Sequence, residues 1–169
     1  GISLDDLLAV GRRIGQGGAE FSDSVIVDDE VEAAIDALSP LAPLHNPPSV
    51  LGIRELRRLL PNVPHVAVFD TAFHSTMPPE AYTYAIPVDV ARENDIRRYG
   101  FHGTSYRYVT RRSAALLGVP QGDVNLIICH LGNGASMAAI KGGVSVDTTM
   151  GLTPLQGLVM GTRSGDIDP

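Results

Sequence analysis

Tryptophan is absent from this chain, cysteine and lysine occur once each, and no apolar run approaches the length of a membrane span. The missing apolar run counts against a transmembrane helix, which needs ~20 such residues. With Cys129 alone, no internal disulfide can form, and a reducing, cytoplasmic setting is expected. Because Cys129 ends the apolar run Leu126 to Cys129, its thiol is expected to be buried and structural. Five histidines show neither the helical nor the loop spacing of a zinc site. No Gly-x-Ser-x-Gly elbow is present for a serine nucleophile. The formal net charge of −6 counts against nucleic acid as a partner. The scarcity of lysine is not one of cations, since twelve of the thirteen basic residues are arginine. Arginine supplies the planar fork that grips carboxylate and phosphate.

What is present is a chain of 169 residues, 44% hydrophobic, in which strand-like and helix-like segments alternate. That alternation predicts an α/β architecture with a partly mixed sheet. Helical turns are expected near Ser3, over Asp28 to Leu41 and from Ser49 to Leu60. A further helix is expected from about Ser105 to Leu117, closed by Gly118. Strands are expected at Arg12 to Ile14, His65 to Phe69, Leu126 to Cys129, after Gly134, and over Val144 to Thr149. Leu41 to Pro48 reads as a proline-stiffened loop holding His45 and Asn46. Pro78 and Pro79 could open a short helix. The last twenty residues hold no obvious regular element.

Several side chains could carry chemistry. Asp70 ends a buried strand, where ligands of open α/β sheets are met; it could position magnesium through water, or simply cap the next turn. His102, in Gly-Phe-His-Gly-Thr, is either an exposed imidazole at a helix start or a surface residue without duty. Arg13 and Arg163 sit among small residues, where a long cation suits an anionic partner. His130-Leu-Gly-Asn-Gly134 is either an ordinary hairpin turn or a backbone cradle for phosphate oxygens, with Asn133 and Ser136 as added donors.

Taken together, Leu41-Ala-Pro-Leu-His-Asn-Pro-Pro48, Val68-Phe-Asp-Thr-Ala-Phe-His74 and Arg98-Tyr-Gly-Phe-His-Gly-Thr-Ser105 resemble the acetokinase family of short-chain carboxylate kinases. His130-Leu-Gly-Asn-Gly134 and Met160-Gly-Thr-Arg-Ser-Gly-Asp-Ile-Asp-Pro169 extend the resemblance to nearly the whole chain. The resemblance implies an actin-like, sugar-kinase-like fold of two duplicated domains, of which this chain holds only the middle portion. Residues 1–71 would be the later part of the first domain, and 72–169 the start of the second. It implies reversible, Mg2+-dependent transfer of phosphoryl from ATP to acetate, giving acetyl phosphate and ADP. Propionate or butyrate as substrate, or an inactive relative that binds nucleotide weakly, are the alternatives. By motif position, Asp70, His102 and Arg163 resemble the catalytic residues. Arg13, His45, Leu44, Phe101 and Pro154 resemble the substrate contacts, and His130, Leu131, Gly132, Asn133 and Gly134 the ATP loop. No residue is assigned as a direct metal ligand. A cytoplasmic homodimer is implied for the full-length protein.

Three departures from the family's pattern stand out. Arg12 and Gln16 replace histidines, Tyr106 replaces another, and Gly15 replaces a valine of the acyl pocket. The smaller Gly15 is expected to free room for about two to three carbons, each worth ~0.8 kcal/mol when buried.

Overall fold

A computed structural model describes residues 3–168. Two three-stranded sheets organise it. In the first, β1 (Val10–Ile14) lies parallel to β3 (His65–Phe69), with Ile14 opposite Phe69, and β2 (Val25–Ile26) pairs antiparallel on the other side of β3. In the second, β4 (Leu126–Leu131), β5 (Ala135–Lys141) and β6 (Val144–Thr148) form an antiparallel meander with a bulge at Ala139/Ile140.

Most helices begin close to where their sequences say they should. α1 (Asp29–Ala37) is capped by Asp28, whose Oδ1 accepts the Val31 N–H at 2.8 Å. α2 (Asn46–Leu59) starts earlier than its periodicity suggests: Pro47 and Pro48 lie inside its first turn, where a missing N–H costs nothing. The expected loop around His45-Asn46 is therefore a helix start. Arg54 and Arg57 of α2 bond Asp29, Glu32 and Asp36 of α1 at 2.7 to 2.9 Å, tying the two helices. Two short helices follow, α3 (Pro79–Tyr82) and α4 (Val88–Glu93). α5 (Gly103–Leu117) ends at Gly118, whose positive φ of 68° lets its N–H reach back to Ala114 and Ala115.

Two hydrophobic clusters follow the two sheets. Ile14, Phe21, Ile35, Val50, Ile53, Phe69 and Ala72 form the first, in which Phe21 stacks on Phe69 at 4.4 Å. Phe73, Tyr106, Ile128, Ala138 and Ile140 form the second. β4 is covered on one face only: Ile128 is 7% exposed, but Ile127 is 66% exposed and Cys129 is exposed as well. The expected burial of Cys129 is thus not found, because alternation in an antiparallel edge strand turns it outward with Ile127. No helix among the described residues is long and apolar enough to cross a membrane.

Candidate active site

The site grows from the carboxyl end of the parallel pair. Asp70 directly follows β3, and its backbone N–H donates to Ile14 O at 2.9 Å, so both strands end side by side. The carboxylate is 1% exposed and receives a two-pronged grip from Arg13 of β1: Nε to Oδ1 at 2.8 Å and Nη2 to Oδ2 at 2.5 Å. This pair raises the Arg13 pKa above its ordinary value, against the opposing effect of burial. Arg13 Nη1 makes no hydrogen bond among the described residues.

Asp70 also anchors α5. Its Oδ2 accepts the His102 N–H at 3.3 Å, and its carbonyl accepts the Gly103 N–H at 2.9 Å. His102 caps this helix in the left-handed region, φ 61°, a conformation that a non-glycine residue holds at some cost. Its ring stacks on His130 at 4.0 Å, and its Nδ1 meets Ser136 Oγ at 2.8 Å. Burial, aided by the nearby cationic side chains and His130, pushes the His102 pKa down to about 4 against the pull of Asp70.

Arg163 arrives from the irregular tail. Its Nη1 touches Pro154 O at 3.2 Å and no carboxylate among the described residues pairs with it. A Cβ built on Gly134 would lie 3.4 Å from both Arg163 Nη1 and His102 Nε2, so the bare glycine leaves the gap on which these two donors converge.

A hollow of about 310 Å³ results, lined by Arg13, His45, Asp70, His102, Gly134 and Arg163, with Phe101 and Pro154 as its apolar wall. With Gly15, these are the nine predicted residues that the structure brings together. Leu44 is not among them: it is 83% exposed and outside the lining. Leu131 is likewise exposed, while His130 contributes by stacking behind His102. Gly132-Asn-Gly134 is the turn of the β4–β5 hairpin, and Asn133 O accepts the Gly161 N–H of the tail at 3.3 Å. Ser136, expected to offer a hydroxyl to phosphate, is fully buried and turned to His102 instead. Ser49 joins the lining without having been anticipated; its position one turn along α2 from His45 would have found it had the helix start been recognised.

Gly15 lines the hollow as well, beside His45. A Cβ there would stand 2.9 Å from His45 Cβ. Behind it, the fully buried Asn46 clamps the chain: Oδ1 accepts from Gln16 N at 3.1 Å and Nδ2 donates to Gln16 O at 3.0 Å. A larger hollow, about 400 Å³ between α3, α4 and Tyr99, contains none of the candidate residues.

His74, fully buried, holds the wall in place. Its Nε2 bonds Phe101 O at 2.9 Å and its Nδ1 meets Ser145 Oγ at 2.8 Å, and burial lowers its pKa to about 4. Both His74 and His102 return to about 6.5 on unfolding, so the unfolded chain binds protons that the native one refuses between pH 6.5 and 4. Stability is therefore expected to be full above pH 7 and to fall as pH drops through 6.5. For His74 the loss reaches on the order of 3 kcal/mol once pH is well below 4. Urea midpoints at pH 5.0 to 7.5 check this, and His74→Gln should flatten the slope. An equal midpoint throughout would overturn it.

The comparisons with known proteins fit this geometry. Residues 2–169 match the family model described as the acetokinase family. An acetate kinase of Alkaliphilus metalliredigens is 57% identical over 167 residues, 99% of this chain and 42% of that protein. One from Thermotoga maritima is 59% identical over 166 residues, 98% of this chain and 41% of that protein. Among solved structures, Porphyromonas gingivalis acetate kinase superposes with a TM-score of 0.94 at 50% identity, covering 99% of this chain and 42% of that one. A propionate kinase from Francisella tularensis gives the same TM-score and identity, over 98% of this chain and 43% of that one. The chain thus spans about two fifths of the length of the relatives it matches. With an α/β fold shared at that level of identity and a family match across nearly its whole length, the chain belongs to the acetokinase family and carries part of its actin-like fold.

Proposed function

We propose that the protein carrying this chain transfers the γ-phosphoryl group of ATP to acetate, reversibly and with Mg2+, giving acetyl phosphate and ADP. The observation that carries this is the convergence of Arg13, His102 and Arg163 on one small hollow, with Arg163 lacking any carboxylate partner among the described residues. A carboxylate oxygen of the substrate attacks phosphorus in line, the bond to the β-phosphate oxygen breaks, and ADP leaves with the electron pair. Such a transfer needs positioning and charge neutralisation more than covalent help.

Arg13 Nη1 is assigned to the substrate carboxylate, Phe101 and Pro154 to its alkyl group, and His45 to support of that wall. His102 Nε2 and Arg163 are assigned to the oxygens of the transferring group. The turn from His130 to Gly134, with its Asn133, is assigned to the nucleotide phosphates. Acetate is already ionised at neutral pH, so no base is required. Asp70, whose two oxygens are both held by Arg13, orients that arginine and the start of α5. The described residues offer no group of three acidic, histidine or cysteine side chains to hold a metal, so the Mg2+ is assigned to the nucleotide phosphates. Residues 1–71 and 72–169 are read as parts of two domains, a reading supported by the two separate three-stranded sheets, one ending at Phe69 and the other starting at Leu126. The working protein is read as a cytoplasmic homodimer with neither nucleic acid nor membrane as partner.

Hydroxylamine trapping of acyl phosphate tests the reading, using the intact gene product with ATP, Mg2+ and acetate, propionate or butyrate. Hydroxamate that depends on both ATP and acid is expected; nucleotide binding without product from any acid would replace the reading with that of an inactive relative. Propionate stands as the second substrate because the propionate kinase neighbour is as similar in structure as the acetate kinase. Gly15→Val fills the wall by pressing on His45 and is expected to favour acetate over propionate by about fourfold per carbon. An unchanged ratio of kcat/KM values would reject this.

A further inference from the structure

Three histidines each meet a serine hydroxyl through Nδ1: His74 with Ser145 at 2.8 Å, His102 with Ser136 at 2.8 Å and His130 with Ser105 at 2.9 Å. Of these serines, Ser136 alone among the described residues is also held by a tyrosine. The Tyr106 hydroxyl lies 2.5 Å from Ser136 Oγ, and both residues are fully buried. Tyr106 comes from the first turns of α5 and Ser136 from β5, so the contact joins the helix that His102 caps to the second sheet.

The protons in this chain of three groups can be placed. The Tyr106 hydroxyl has no other hydrogen-bond partner among the described residues. A buried donor left without an acceptor costs about 1–3 kcal/mol, so Tyr106 donates to Ser136. Ser136 has a single proton, and its one other partner among the described residues is His102 Nδ1, to which it therefore donates. A neutral imidazole that accepts at Nδ1 carries its hydrogen on Nε2. That nitrogen is the one beside Gly134 and Arg163 Nη1. The opposite polarity would strand the tyrosine hydrogen and aim a lone pair at the incoming anion. With its pKa near 4 the ring is neutral at working pH, so the tautomer decides whether Nε2 gives or takes a hydrogen bond.

We infer that Tyr106 is a positioning residue which, through Ser136, holds His102 as the Nε2–H tautomer and so aims a hydrogen-bond donor at the gap beside Arg163. The identity of the anion met there rests on the carboxylate kinase reading; the tautomer does not.

Nitrogen-15 correlation spectra of the histidine rings in the intact gene product, without ligand, read the tautomer directly, with His102→Asn to assign the signal. His102 is expected as Nε2–H in the parent and as a mixture in Tyr106→Phe, which keeps the buried ring and so the packing. Turnover of Tyr106→Phe is expected to fall about tenfold in kcat with little change in KM, the worth of one ordinary hydrogen bond. In the Ser136→Ala background the same change should have no further effect. An unaltered tautomer in Tyr106→Phe, or losses that multiply in the double variant, would overturn the inference and leave Tyr106 a packing residue. If the tautomer shifts as expected while no acid yields acyl phosphate, the relay stands and the carboxylate kinase reading falls.

Discussion

Arg163→Ala is expected to slow acyl phosphate formation by about 10²–10³-fold, the range seen when one preorganised donor to a developing charge is removed. The fold should not notice. Among the described residues the Arg163 side chain bonds only Pro154 O and Met160 Sδ, both within the same tail, while the turn itself is closed by the backbone bond from Met160 N to Arg163 O at 2.9 Å. Thermal stability is thus expected to stay within about 0.5 kcal/mol of the parent, as for other changes away from packed features. Arg163→Lys keeps the charge but loses the fork, and should recover only part of the rate. Parallel measurements of kcat, KM and melting temperature separate these outcomes; a kcat within threefold of the parent would remove Arg163 from the catalytic assignment.

The second large effect comes from a residue with no side chain. Gly103→Ala would bring a Cβ inside van der Waals contact with the Asp70 carbonyl oxygen and to 3.0 Å from Phe73 Cβ. The first neighbour is backbone and cannot rotate aside, so α5 must back away from the end of β3. With it would go the Gly103 N–H bond to Asp70 O and the His102 N–H bond to Asp70 Oδ2. A loss of about 3 kcal/mol is expected, at the upper end for an overpacked site, together with loss of nearly all activity. Gly122→Ala is the control, since nothing lies within 4 Å of its Cβ position. Urea denaturation of both variants decides the matter, and equal midpoints would show that α5 does not depend on this close approach.

Much of the fold could be read from spacing. β3 alternates buried and half-buried residues, and α5 runs between a capping His102 and Gly118, so both are visible in the order of residues. Where the reading missed, local rules gave an ambiguous answer. Prolines 47 and 48 suggest a loop but are equally at home in a first helical turn. The two residues of β2 are too few to show a period, and α4 is little longer than one turn. The run from Leu126 to Cys129 is uniformly apolar, so its burial on a single face could not be told from burial on both. The site is a different case. Arg13, Asp70, His102 and Arg163 lie far apart along the chain and share no periodicity, so only their motifs linked them. Ser136 and Tyr106 were visible as residues but not as a pair, because their hydrogen bond spans 30 positions.

Asp70 bonds β1 through Arg13 and α5 through the His102 and Gly103 N–H groups, with less than a fiftieth of its surface open to water. The same atoms that set the charge of the hollow also hold its walls together. Drift at this position therefore has no neutral direction: a substitution that retunes the electrostatics also loosens the scaffold. New substrate preferences in such a protein must be sought in the apolar wall around Phe101, Pro154 and Gly15, where change leaves that knot tied.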